Sequence, residues 1–299
     1  MRKIFPYLLL ILIILNCSCQ KIITIDIPKD YSRLVIHAFL TPQERIEANI
    51  SRTTPLLATI PEDLSVADAK VSVFENGNLL EQLVYGGEGN YYVASNLRPK
   101  AGNNYHFEVA AEGFEDLVTI AEKIPAPLGN LSYSFENNAI AAVNSGTKAG
   151  LFSWEVDPDN SEVAFYGINI RPIKLANEAS SSLTWIVNFE EEFSNICGAT
   201  TSGNSWIIPN ACLQGSGSDV IQMGIETTYS SIDGPQSFTF LEVRLQSISP
   251  SYYNYLKNET RPDGIDLAFS SPDTLFTNAI GGFGVVGGFT SSGLIRIAL

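Results

Sequence analysis

The sequence predicts an all-β protein: an N-terminal immunoglobulin-like or transthyretin-like sandwich, then a second, larger β-rich domain with one short helix. Three observations carry this. Apolar and polar residues alternate in short runs, as in Tyr105-His106-Phe107-Glu108-Val109. Turn residues part those runs at intervals of roughly 8–12 residues, the spacing of sandwiches. Helical periodicity is confined to one stretch after Ser249. At 299 residues with 45% hydrophobic side chains, the chain can fill one large or two medium cores.

From the amino end, Arg2 and Lys3 precede an apolar run from Leu8 to Leu15 and then Asn16-Cys17-Ser18-Cys19. The run is too short to cross a bilayer, which takes roughly 20 apolar residues. A core of about 7–15 apolar residues behind positive charge is the pattern of a signal peptide. A small residue ahead of a cysteine makes it a lipoprotein signal over residues 1–18. Cys19 is then the lipidated residue, with Cys17 the alternative. Acyl chains contribute about 0.8 kcal/mol per buried methylene, so they anchor the chain to a membrane. Residues 19–30 read as a tether, in which Ile23-Thr24-Ile25-Asp26-Ile27 alternates like an edge strand.

The first domain is expected over 31–124. Leu34 to Leu40 is apolar enough to be buried on both faces. Val71, Ser72 and Val73 alternate, and Glu75-Asn76-Gly77-Asn78 offers a hairpin turn. Gly86 to Gly89 turns the chain into Tyr91-Tyr92-Val93, and Pro99-Lys100-Ala101-Gly102 precedes the Tyr105 strand. Ile124-Pro125-Ala126-Pro127 breaks the pattern because proline cannot donate to a ladder. A linker is therefore placed at 125–129 and the second domain at 130–299.

In that second part, Leu151 to Val156, Val163 to Ile170, Leu183 to Phe189 and Phe238 to Gln246 read as strands. Ser249 is a good N-cap, Pro250 suits the first helical position, and Tyr252 and Leu256 lie one turn apart. The helix should stop by Arg261-Pro262. The glycine-rich stretch Ile280 to Phe289 lacks the lysine and Ser/Thr of a phosphate loop, and glycines in strands mark bulges or close backbone approach. Leu294 to Ala298 closes the chain as a strand.

The formal charge of −14 argues against nucleic acid and against anionic headgroups, since there is no excess cation to release counterions. Beyond the anchor region the cysteines are Cys197 and Cys212. In an oxidising compartment such a pair bridges, as a staple worth about 2–4 kcal/mol. His37 and His106 are the two histidines, both on expected strands without the spacing of a triad or zinc site. Asp157, Asp159, Asn160 and Glu162 gather oxygen as a calcium candidate, but the spacing is not that of an EF-hand and Asp-Pro-Asp-Asn is an ordinary turn. Glu190-Glu191-Glu192 reads as a solvated loop. No metal, cofactor or catalytic set is therefore expected.

The order of several fragments resembles a Bacteroidota lipoprotein family catalogued as domain of unknown function 4249. These are the lipobox with Gln20-Lys21-Ile22-Ile23-Thr24-Ile25-Asp26, Leu34-Val35-Ile36-His37-Ala38, and Gly102-Asn103-Asn104-Tyr105-His106-Phe107-Glu108-Val109 with Gly113-Phe114. Ser249 to Lys257, the late cysteine pair and Thr277 to Val285 complete the set. The resemblance implies an outer-membrane lipoprotein that partners a TonB-dependent, SusC-like receptor, and it carries over no catalytic residue. Gln20-Lys21-Ile22-Ile23 lacks the acidic residues that follow the lipidated cysteine in surface-exported relatives, which leaves the membrane face open. Asp273-Thr274-Leu275 resembles a short O-glycosylation acceptor motif, making Thr274 a candidate modification site. The expected function is thus a non-enzymatic accessory or ligand-binding lipoprotein. The alternatives are a secreted carboxylate-dependent glycan hydrolase and a structural or adhesive surface β-protein.

Overall fold

The computed structural model describes residues 32–54, 63–87, 89–129, 132–141, 148–156, 162–173, 200–202, 205–216, 220–226, 228–231, 234–237, 239–259 and 275–299. Among these the chain is mostly strand, as the alternating runs predict. The first strands are β1 (Leu34–Leu40), β2 (Glu47–Arg52), β3 (Lys70–Glu75), β4 (Asn78–Tyr85) and β5 (Tyr91–Val93). They are followed by β6 (Asn104–Ala110), β7 (Leu117–Thr119) and β8 (Glu122–Lys123). Next come β9 (Tyr133–Ala141), β10 (Lys148–Glu155), β11 (Phe165–Ile173), β12 (Thr200–Ser202) and β13 (Ser205–Pro209). Helix α1 (Asn210–Ser216) leads to β14 (Val220–Glu226), β15 (Thr228–Ser231), β16 (Gly234–Ser237) and β17 (Phe240–Ile248). Helix α2 (Pro250–Glu259), β18 (Ala279–Ile280), β19 (Phe283–Ser291) and β20 (Ile295–Ala298) complete the order.

A 15-stranded sheet runs in the order β12-β13-β11-β17-β19-β1-β2-β5-β4-β3-β6-β7-β18, with β20 on β17 and β8 on β6. Strands β14-β10-β9 make a separate three-stranded sheet. The β3–β4 turn follows from its residues: Asn76 and Gly77 sit at φ 52° and 81°, and a tight hairpin turn needs left-handed backbone at both positions. Strand β18 pairs with β7, and Gly281-Gly282 then carries the chain directly into β19, which pairs with β1. The N-terminal part of the sheet therefore curls back on itself. Inside the curl lies the first core, built from alternate residues such as Leu34, Ile36, Ile50, Val71, Tyr105 and Phe107. The Tyr105 hydroxyl donates to Glu75 and accepts from the Lys100 amide, which pins the Pro99–Gly102 turn. Burial pushes this hydroxyl up to about 12.

The second core lies between the β11-β17 part of the large sheet and the three-stranded sheet. Ile168, Ile170, Leu241, Val243 and Leu245 come from one, and Phe152, Trp154, Ile221, Met223 and Ile225 from the other. Glu242 on β17 is buried between Arg171 of β11 and Arg296 of β20, its cross-strand neighbours. It accepts from Arg171 at 2.7 Å and also from Arg296. Arg296 first, then Arg171, holds its carboxyl below the usual range.

Ile124 belongs to the first core, and the chain runs on through Pro125-Ala126 to Leu128, which packs on the second. Ile124 donates to the Asn103 carbonyl at 2.9 Å and accepts from Gly102 at 2.8 Å, while Thr290 donates to the Pro125 carbonyl at 2.7 Å. One sheet runs through both parts, and β19 belongs to both: its Val286 lies in the first core while its end pairs with β17. Two helices are present among the described residues where the sequence predicts one. The addition, α1, is seven residues long with no acidic residue in its first turn.

Two predictions follow from this packing. A Cβ at Gly284, which has φ +117°, would lie 1.8 Å from the Ile36 carbonyl oxygen, whereas one at Gly293 meets nothing within 4 Å. Gly284→Ala should therefore destabilise the fold by about 2 kcal/mol or more in denaturant titration, while Gly293→Ala stays within about 0.5 kcal/mol of wild type. The depressed Glu242 pKa means its contribution is full above the unfolded carboxyl value and is lost as pH falls through the folded one. Glu242→Gln should cost about 1 kcal/mol at pH 7, and thermal melts should show the gap to wild type closing in acid.

Candidate binding pocket

Strand β1 alternates strictly. Leu34, Ile36, Ala38 and Leu40 enter the first core, and Val35, His37 and Phe39 face the other way. Parallel pairing places Val285 opposite His37 and Gly287 opposite Phe39. Helix α2 lies over this second face. Tyr252 and Tyr255, three residues apart and so on one side of the helix, meet the Phe39 ring at centroid distances of 4.9 and 4.8 Å. A Cβ on Gly287 would lie 2.8 Å from the Tyr252 Cβ, so glycine is what lets the helix come this close.

The start of α2 is tied down as its sequence predicts. Ser249 accepts from the Tyr252 amide at 3.4 Å and from the Gly288 amide at 2.9 Å. The buried carboxylate of Glu122 accepts from the Ser251 hydroxyl at 2.6 Å and from its amide at 3.4 Å, placing negative charge at the positive end of the helix. A third apolar cluster of Ile207, Ile248, Tyr253 and Leu256 holds the other side of α2.

The helix stops short of covering the whole β1–β19 face. Val35, His37, Phe283, Gly284 and Val285 line a mainly apolar cavity of ≈ 490 Å³, with Tyr255 and Asn258 from α2, Thr53, and Leu275-Phe276-Thr277. That size lies in the usual range of about 300–1,000 Å³ for small-molecule sites. His37 is half-buried and meets Tyr255 edge-on at 6.0 Å. Its imidazole has no hydrogen-bond partner among the described residues. Burial lowers its pKa, so at neutral pH the ring is uncharged, with one donor and one acceptor nitrogen. Arg33, exposed and outside the lining set, places its guanidinium 5.6 Å from the centre of the Phe283 ring, which does line the cavity. No carboxylate among the described residues lies within ion-pair distance of Arg33.

The residues singled out in the sequence fall elsewhere. Cys17, Cys19, Asp157, Asp159, Asn160, the Glu190–Glu192 run, Cys197 and Thr274 lie outside the described residues. Glu162 is exposed and lies 4.0 Å from the Lys123 ammonium. Cys212 sits half-buried on α1 against the second core. His106 stacks on Phe74 at 4.5 Å, remote in sequence and strand order from His37. Among the described residues no group of three or more His, Cys, Asp or Glu is gathered as for a metal, and no helix is long and apolar enough to cross a membrane. From the sequence, His37 stands on a strand without the spacing of a triad or zinc site, and nothing there marks it as part of a pocket. The one signal that pointed to the pocket was the apolar character of β1 on both faces, which requires a second covering.

A family model described as "Domain of unknown function (DUF4249)" matches residues 20–293. The chain belongs to this family. No curated protein matches it. Among solved structures, the major pilin subunit BcpA of Bacillus cereus is similar at 10% identity and a TM-score of 0.25, over 90% of this chain and 69% of that one. A likeness that slight carries no argument.

The buried environment of His37 gives a direct test. Histidine NMR titration should show the His37 ring protonating below the ordinary value of about 6.5. A midpoint at or above that value would contradict the packing of β1 against α2.

Proposed function

We propose that the protein is a non-enzymatic lipoprotein, held at the outer membrane by acyl chains on Cys19. In this reading it serves as an accessory or ligand-binding partner of a TonB-dependent, SusC-like receptor. The observation that carries the reading is the leader itself: Arg2-Lys3, the apolar run and Ser18-Cys19 stand directly ahead of a family match that starts at residue 20. The receptor partnership is what the resemblance to a lipoprotein family implies. The cavity supports the binding role, because among the described residues its wall combines apolar side chains with one imidazole, two threonines and an asparagine, and no carboxylate. Such a wall fits retention of a ligand better than acid–base work, which wants facing titratable groups. Export to an oxidising compartment also supports a bridge between Cys197 and Cys212, closing the stretch that leads into α1.

Two measurements test this. Mass spectrometry of the membrane-extracted protein should find an acylated amino-terminal Cys19, and Cys19→Ala should abolish acylation. Affinity purification from detergent-solubilised membranes of the native host should recover a β-barrel receptor with the wild-type chain. An unmodified polypeptide still carrying residues 1–18, or the absence of any β-barrel partner, would contradict the reading.

A further inference from the structure

We infer that the cavity between the end of α2 and the β1–β19 face is a binding site for a small amphiphilic acid, an apolar body with one anionic head. Its apolar body would rest on Val35, Phe283 and Val285, and its head would meet Arg33, with His37 as a hydrogen-bonding partner. This site stands on the cavity's own geometry and not on the partnership with a receptor.

Three features converge on that ligand class. The wall is mainly apolar, with Thr53, Asn258, Thr277 and His37 as its polar members, so it gains most from a ligand that is largely apolar with few polar atoms. His37 enters this wall with its ring nitrogens unpaired among the described residues. A half-buried imidazole in that state keeps a donor and an acceptor that a ligand's polar atom can use. The third feature is charge. The chain carries −14 overall, yet the ring of Phe283, which lines this cavity, carries a guanidinium over it at 5.6 Å, with no carboxylate of the described residues within ion-pair distance. A guanidinium so placed offers several donors in a plane, the geometry that fits a carboxylate. A neutral apolar ligand would leave Arg33 unused, and a cation would be repelled by it. Anchorage of the site is firm: β1 and β19 are paired through six residues, and the first turn of α2 is held by Glu122 and Ser249.

The test uses a photoreactive pair that differs by one group, benzophenone-4-carboxylate and benzophenone, with the full chain in lipid nanodiscs. After irradiation, peptide mapping reads where each probe attaches, so probe dissolved in lipid does not interfere. The expected result is attachment to peptides holding Val35–His37, Tyr255–Asn258 or Val285, with about a threefold to tenfold preference for the carboxylate. Arg33→Gln, a change at an exposed side chain, should bring the two probes to parity without removing attachment. Val285→Trp, which fills the cavity, should remove both. Equal attachment of the two probes to the wild-type chain, or a carboxylate preference that survives Arg33→Gln, would overturn the anionic head. Attachment that avoids these peptides would overturn the site; should Val285→Trp fail to fold, the mapped positions and Arg33→Gln still decide.

Discussion

Strand β19 has to pack closely against β1, helix α2 and Ile124 at once, and its glycines are what make that possible. A Cβ at Gly284 would strike the Ile36 carbonyl, one at Gly287 would strike Tyr252 of α2, and one at Gly288 would press on Ile124. The buried Asn278 side chain completes the arrangement by bonding both the amide and the carbonyl of Val286, at 2.9 and 2.8 Å. From that fit the rest follows. β19 closes the curl around the first core, supplies Val286 to it, continues onto β17 of the second part, and provides the floor on which α2 rests.

The pocket is a by-product of the same geometry. Pairing of β1 with β19 creates a two-strand face that needs a cover. A helix of ten residues, fixed at its first turn by Ser249 and Glu122, reaches Phe39 and His37 with Tyr252 and Tyr255 and then ends. The remaining length of the face holds Val35, Phe283 and Val285 and lines the cavity. Apolar strand residues that other β-proteins bury in a core are here used to line a recess, and Arg33, which immediately precedes β1, lies over the Phe283 ring of that lining.

Local features were legible in the sequence and long-range ones were not. Asn76-Gly77 announces a hairpin because left-handed backbone is costly for most residues and cheap for these. Ser249-Pro250 announces a helix start because capping and a fixed φ act within one turn. The alternation of Tyr105 to Val109 states its own face pattern. Parallel pairing of β1 with β19 has no such signature: it joins Val35 to Phe283 without a turn between them, and its register is set by packing. Its traces were indirect, namely an apolar β1 and a glycine run that could be read as close approach but not as approach to what. The pocket inherits that opacity, since Val35, His37, Tyr255 and Phe283 come from three separate stretches of the chain. Helix α1 stayed hidden for a different reason: seven residues with a glycine near their end carry little intrinsic helical preference.

Hydrogen exchange on a chain ending at Asn278 tests this account most directly, because it removes β18, β19 and β20 while leaving every residue before them in place. If the late strand closes the first core, the amides of Leu34–Leu40 and of Ile124 will lose their slow exchange even though they lie far away in sequence. Unchanged protection at those amides would show that the first core stands without β19, and would contradict the account.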